Sequence, residues 1–187
     1  MIPKLDADPH REIPNEWTMV ERPLLQQLTA MGWDCLQGDI DYPQKTFRDS
    51  FRQVLLRKHL QTAIRRINEN EDLDEVTIDR AIRELERSDK PGGLERNREL
   101  TEKLIKGVSV PRAIPGKESR SHNVTVHFID FDPANQDKNT FLAINQFRID
   151  LIGRVGFVIP DVILFINGIP LVVIECKSPS LAETDDD

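Results

Sequence analysis

Residues 160–180 read PDVILFINGIPLVVIECKSPS: two nearly unbroken apolar runs joined by Asn167-Gly168, with Asp161, Glu175 and Lys177 near their ends. Asn-Gly between two such runs is a strong short-range signal for a β-hairpin. Strands this apolar are built for a core, so three charges at their ends demand a reason. Side chains alternate faces along a strand, so Glu175 and Lys177 share a face while Cys176 points the other way, into a buried layer. The place of Asp161 depends on hairpin parity. A strict two-residue turn pairs Ile166 with Ile169 and Asp161 with Ile174, which turns the aspartate away from the glutamate. An odd loop or a bulge reverses this and lets the three charges converge. A shared functional site therefore predicts an odd loop or a bulge.

The chemistry that wants such a trio is metal-assisted phosphodiester hydrolysis. Two carboxylates held together in a partly buried site repel each other unless a cation occupies the gap. Magnesium suits oxygen ligands and keeps several waters, so Asp161 and Glu175 need donate only part of its shell. Lys177 is placed to orient an attacking water and to offset charge in the transition state.

The rest of the chain supplies the setting. NEWTMVERPLLQQLTAMGWDCL reads as an amphipathic helix ending at Gly32, with Leu24, Leu25, Leu28 and Met31 at helical spacing. Pro23 is tolerated only in a first turn, so the helix proper starts near Glu21 or is kinked. FRDSFRQVLLRKHLQTAIRRIN reads as one long helix with Phe47, Phe51, Val54, Leu55, Leu60, Ile64 and Ile67 on one face and Arg52, Lys58, Arg65 and Arg66 on a basic one. VTIDRAIRELERS and LERNRELTEKLIKG are two further helices, separated by DKPGG. From residue 108 the texture turns β-rich in NVTVHFIDF, FLAINQFRIDL, DVILFI and LVVIECK. The expected order is one helix, a helical block over about 46–106, then a β-rich core over about 108–178.

With 187 residues, 39% hydrophobic and 30% charged, the chain suits a single soluble domain over 1–180 with a sizeable core, followed by an acidic end at 181–187. No run reaches the roughly 18 apolar residues of a membrane span, and no secretory signal opens the sequence, so the expectation is a cytoplasmic protein without a membrane partner. Cys35 and Cys176 are far apart and lack zinc spacing, which reads as two reduced structural thiols. A net charge of -7 argues against general nucleic-acid binding, so any contact with DNA must be local or supplied by a partner.

The pairing of Pro160-Asp161 with Glu175-Cys176-Lys177, fourteen residues after the aspartate, resembles the PD-(D/E)XK nuclease signature. The wider text, including SFRQVLLRKHLQTAIRRIN and FLAINQF, is similar to the N-terminal nuclease region of the restriction subunit of type I restriction-modification enzymes, from about Trp17 to Ser180. The resemblance implies an α/β fold, a mixed sheet flanked by helices as a restriction-endonuclease-like core with a helical elaboration. It also implies magnesium-dependent cleavage of unmodified foreign double-stranded DNA and assembly with modification and specificity subunits. Asp161 and Glu175 would bind metal, Lys177 would assist hydrolysis, and Glu21 matches a further metal-proximal glutamate on the first helix. Gln146, in the matching strand text, would border the site. Two features depart from the family. No GxxxxGK[ST] loop is present, so ATP would act only through a translocase domain absent from this chain. The helix with a Q-x-x-x-Y element expected after E-x-K is not reached before SLAETDDD, so the chain reads as a fragment whose isolated activity is not implied.

Each residue also has a plainer reading. Glu175 and Lys177 could be a solvated strand-end pair, and Asp161 could merely follow a proline at a strand start. Glu21 stands three residues after Thr18, the spacing of a capping box. The basic helix face is ordinarily solvated, and His127 alternates with valines as a strand residue would. The rival functions are a catalytically silent docking or DNA-binding module that keeps the nuclease fold, and a stand-alone repair nuclease of the same fold.

Overall fold

The computed structural model describes residues 17–114 and 117–177. In chain order the elements are α1 (Arg22–Ala30), β1 (Asp34–Gln37), α2 (Arg57–Ile67), α3 (Glu75–Glu86), α4 (Gly93–Lys106), β2 (Val108–Ile114), β3 (Lys117–Val126), β4 (Phe141–Asn145), β5 (Ile149–Asp150), β6 (Phe157–Val158), β7 (Val162–Ile166) and β8 (Ile169–Ile174). Four strands form one sheet in the order β1-β4-β7-β8, with β1 parallel to β4 and the other neighbours antiparallel. The fold is therefore α/β with a mixed sheet flanked by helices, as the sequence predicted. No helix among the described residues is long and apolar enough to cross a membrane.

Strand alternation splits the sheet's apolar residues between two layers. Ala143 and Val162 pack under Leu25 and Leu28 of α1. Ile144, Ile163 and Phe165 face the other way, onto Leu56 and Phe147. A third cluster joins Leu60 and Ile64 of α2, Ile78 and Ile82 of α3, and the β2–β3 ribbon through Val110 and Val126. The α3 helix shows how local rules build this layer. Asp74 caps its start, accepting the Thr77 N–H at 2.7 Å, and Ile78, Ala81, Ile82 and Leu85 recur on one buried face.

Three local expectations are corrected. The long second helix is helical only over Arg57–Ile67. Residues 47–56 instead form turns, because tertiary partners claim their backbone: the Asp150 N–H donates to the Phe51 carbonyl and the Leu56 N–H to the Gly168 carbonyl. The first helix follows a wider turn over Trp17–Glu21, with Pro23 in its opening turn, and stops before Gly32, as expected. Gly32, at φ 90°, ends it, and Asp34–Gln37 turns into β1 beside a strand over a hundred residues away. FLAINQFRIDL breaks at Gln146, whose φ is 51°. Finally, β8 ends at Ile174, so Glu175, Cys176 and Lys177 lie just beyond the strand that the sequence placed them in.

Candidate functional site

The β7–β8 hairpin turns on Asn167 and Gly168, both left-handed at φ 54° and 82°. Ile166 pairs with Ile169, so this is the tight two-residue turn, held from within. The fully buried Asn167 amide donates to the Phe128 carbonyl at 2.9 Å, and its Oδ1 accepts the Thr140 N–H at 2.8 Å. A Cβ on Gly168 would stand 2.6 Å from the Leu56 carbonyl oxygen, so only glycine fits.

A two-residue turn alone would set Asp161 against Ile174. The register changes between Leu164 and Phe165: Phe165 pairs with Pro170, yet Leu164 pairs with Val172, leaving Leu171 as the extra residue of a bulge. The bulge falls beside Pro170, which has no N–H to give to the ladder. Past it, Val162 pairs with Ile174, and carrying that register one residue further sets Asp161 across from Glu175. The parity condition is met by a bulge rather than by an odd loop.

Asp161 is half-buried, and its Oδ2 accepts the Cys176 N–H at 2.6 Å, which ties the aspartate to the middle of the E-C-K triplet. Its carbonyl accepts the Gln146 N–H at 2.9 Å. Gln146 thus borders the aspartate through its backbone. Glu175 and Lys177 are exposed, and Cys176 between them is buried.

Glu21 is reached through Asn145. It is 5% exposed, and its Oε1 accepts from the Asn145 amide at 2.9 Å; the same amide nitrogen donates to Gln37 Oε1 at 2.9 Å. Asn145 pairs with Val162, the strand neighbour of Asp161. Among the described residues no three of His, Cys, Asp and Glu lie close enough together to hold a metal ion. The structure therefore ties Asp161 to the E-C-K triplet through the Cys176 N–H, and Glu21 lies behind Asn145, whose strand partner is Val162 beside Asp161. The Thr18 side chain of the expected capping box lies outside the described side chains.

Asn145 and Gln37 were not singled out from the sequence. Gln37 was hidden because the four residues of β1 lie past Gly32, between the expected helices, and carry no strand pattern of their own. Asn145 had a signal, being a polar residue spaced to share a face with Ala143 in an otherwise apolar strand.

Arg48 was also missed. It is fully buried, with Nε donating to Thr46 Oγ1 at 2.8 Å and Nη1 to the carbonyls of Gln53 and Arg148 at 3.1 and 2.9 Å. Its guanidinium lies 3.5 Å from the centre of the Phe147 ring. Burial is the main cause that lowers its pKa to about 10, still far above neutrality, so it stays charged. Of the expected basic face, Arg65 pairs with Glu75 at the surface and Arg66 Nε donates to the Lys138 carbonyl, while Arg52 lies outside α2 in the preceding turn. An open cleft of about 470 Å³ lies between α3, α4 and Arg52–Leu55, lined also by Ile169 and Pro170. That is the turn end of the hairpin, away from the carboxylates, so concavity and candidate chemistry do not coincide here.

Comparison with known proteins supplies the remaining evidence. The family described as type I restriction enzyme R protein N terminus matches residues 13–186. A protein described as the endonuclease subunit of type I restriction enzyme MjaIXP, from Methanocaldococcus jannaschii, is 32% identical over 174 residues, covering 92% of this chain and 16% of that protein. The type I restriction enzyme HindI endonuclease subunit of Haemophilus influenzae is 32% identical over 168 residues, covering 89% of this chain and 15% of its own length. The chain thus spans about one sixth of the length of these relatives. With a family match across nearly its whole length and a mixed α/β sheet carrying the Asp161–Glu175 hairpin, the chain belongs to the type I restriction enzyme R protein N-terminal family.

Proposed function

We propose that the chain is a magnesium-dependent endonuclease domain of a type I restriction enzyme, hydrolysing phosphodiester bonds of unmodified foreign double-stranded DNA without reading sequence itself. The observation that carries this reading is the bulge at Leu171, which absorbs one residue and shifts the register so that Val162 meets Ile174; carried one residue further, that register would set Asp161 across from Glu175, with Lys177 two residues on. Both relatives are named as endonuclease subunits, which supports it. Site choice would belong to specificity and modification subunits, ATP would act through a translocase domain outside this chain, and the assembly would work in the cytoplasm.

The donor set suits a hard divalent cation. Asp161 and Glu175 offer only oxygen, and magnesium keeps several of its own waters, so two carboxylates are enough to hold it. Glu21, from the α1 layer, would be a third. Bound there, magnesium lowers the pKa of a coordinated water and stabilises charge developing on the phosphate. Through its Oδ2 bond to the Cys176 N–H, Asp161 is held in one orientation before any ligand arrives. Lys177, exposed beside Glu175, would orient the attacking water and offset negative charge in the transition state.

The test is DNA cleavage by the chain assembled with its partner subunits and ATP, comparing wild type with Lys177→Ala. Loss of cutting with ATP hydrolysis and assembly intact supports the reading. The silent docking module draws on the absence of a three-carboxylate cluster among the described residues, and it requires that the variant change nothing.

A further inference from the structure

Between Gln146 and Asp161 the chain leaves the sheet and returns. Its two feet are joined by the Gln146 N–H donated to the Asp161 carbonyl at 2.9 Å. Above them β5 and β6 pair as a two-stranded ribbon, Ile149 with Val158 and Asp150 with Phe157, and the Leu151 N–H bonds the Gly156 carbonyl at 3.0 Å. Gly153 and Gly156, at φ 74° and 126°, shape the tip. There Ile152 is 85% and Val155 105% exposed, with Arg154 exposed between them.

The ribbon's base is firmly built. Arg48 holds the Arg148 carbonyl, and the Arg148 guanidinium lies 4.5 Å from the Phe51 ring centre and 4.3 Å from that of Phe157. Arg148 also pairs with Asp150 at 2.9 Å and donates to the Ile40 carbonyl at 2.7 Å. Single exposed apolar residues need no explanation. Two at the tip of an anchored ribbon, flanking an arginine and continuing into half-exposed Phe157 and Val158, form a contact surface that contributes nothing to the fold's own core.

We infer that the β5–β6 ribbon is a DNA-contacting finger that enters the major groove beside the phosphate to be cut, with Ile152, Arg154 and Val155 at its tip. The inference rests on the nuclease reading, since the finger's foot is Asp161 itself. Ile152 is six residues on from Gln146, so the tip reaches at most about 20 Å from that foot of the ribbon. A two-stranded ribbon fits the major groove, about 12 Å wide, and not the minor groove at about 6 Å. Isoleucine and valine carry no hydrogen-bonding groups with which to read base edges, and Arg154 supplies local positive charge to the phosphates on a chain whose net charge is -7. This matches the local contact that an acidic chain requires if it engages DNA.

The test places benzoylphenylalanine at Val155 in the full chain bearing Lys177→Ala, assembled with its partner subunits on plasmid DNA, and irradiates. The expected product is a protein–DNA crosslink. In a second arm, Ile152→Ser with Val155→Ser lowers the cleavage rate at limiting DNA roughly tenfold, with melting temperature and ATP hydrolysis unchanged. Crosslinks to polypeptide alone, or a serine variant that cuts at the wild-type rate, overturn the finger. Cutting that survives Lys177→Ala overturns the nuclease reading separately, while a Val155 crosslink to DNA would still hold the ribbon as a DNA contact.

Discussion

Asn145→Ala removes one side chain and strips the buried Glu21 carboxylate and the exposed Gln37 side chain of their shared donor. Asn145 is 1% exposed and Glu21 5%, and the Asn145 amide nitrogen donates to Glu21 Oε1 and Gln37 Oε1 at 2.9 Å each. A hydrogen bond to a charged group contributes about 1.5–3 kcal/mol, whereas the exposed Gln37 oxygen exchanges its bond for water at little cost. The Glu21 bond predicts a loss of roughly 1.5–3 kcal/mol, a large share of a domain's usual margin. The assay is urea unfolding followed by tryptophan fluorescence, since Trp17 and Trp33 both pack against the α1 cluster that Glu21 borders. Asn145→Asp should cost more than alanine, because it sets a second carboxylate against the buried first one. A loss below about 1 kcal/mol for alanine, or an aspartate variant as stable as wild type, would refute the claim that Asn145 holds Glu21 in place.

Two further outcomes follow from the hairpin and from α2. Deleting Leu171 removes the residue that the bulge absorbs, so the two-residue turn by itself then leaves Asp161 across from Glu175; the variant should fold and keep its cleavage activity, and a folded but inactive variant would show that the bulge does more than correct register. Burial holds the His59 imidazole below its ordinary pKa, so as pH falls the unfolded chain binds that proton first. Stability from this group is complete above the unfolded value of about 6.5 and declines as pH drops through it. Thermal melts at pH 7 and pH 5.5 should show this decline in the wild type and less of it in His59→Gln; an equal decline in both would remove His59 as the cause.

The physics of the sequence reaches furthest where a rule is local. Asn167-Gly168 demanded a turn because both residues tolerate positive φ, and that turn is present. The helices α3 and α4 follow from periodic apolar residues and the DKPGG break between them. The requirement that a shared site needs a parity change was also legible, since strand alternation is a property of any chain.

What tertiary structure alone decided concerns partners distant in sequence. Residues 47–56 have a helical pattern, yet Gly168 and Asp150 claim their backbone groups, and Arg48 is drawn wholly into the core by carbonyls and an aromatic ring. The four residues of β1 are too short to announce a strand, and they become one because β4 lies parallel beside them. The choice of a bulge at Leu171 over an odd loop arose from Asn167 being clamped by Phe128, Asn139 and Thr140. With the turn locked at two residues, the extra residue had to be absorbed further along β8, and that displacement is what sets Val162 opposite Ile174, one residue short of Asp161 and Glu175.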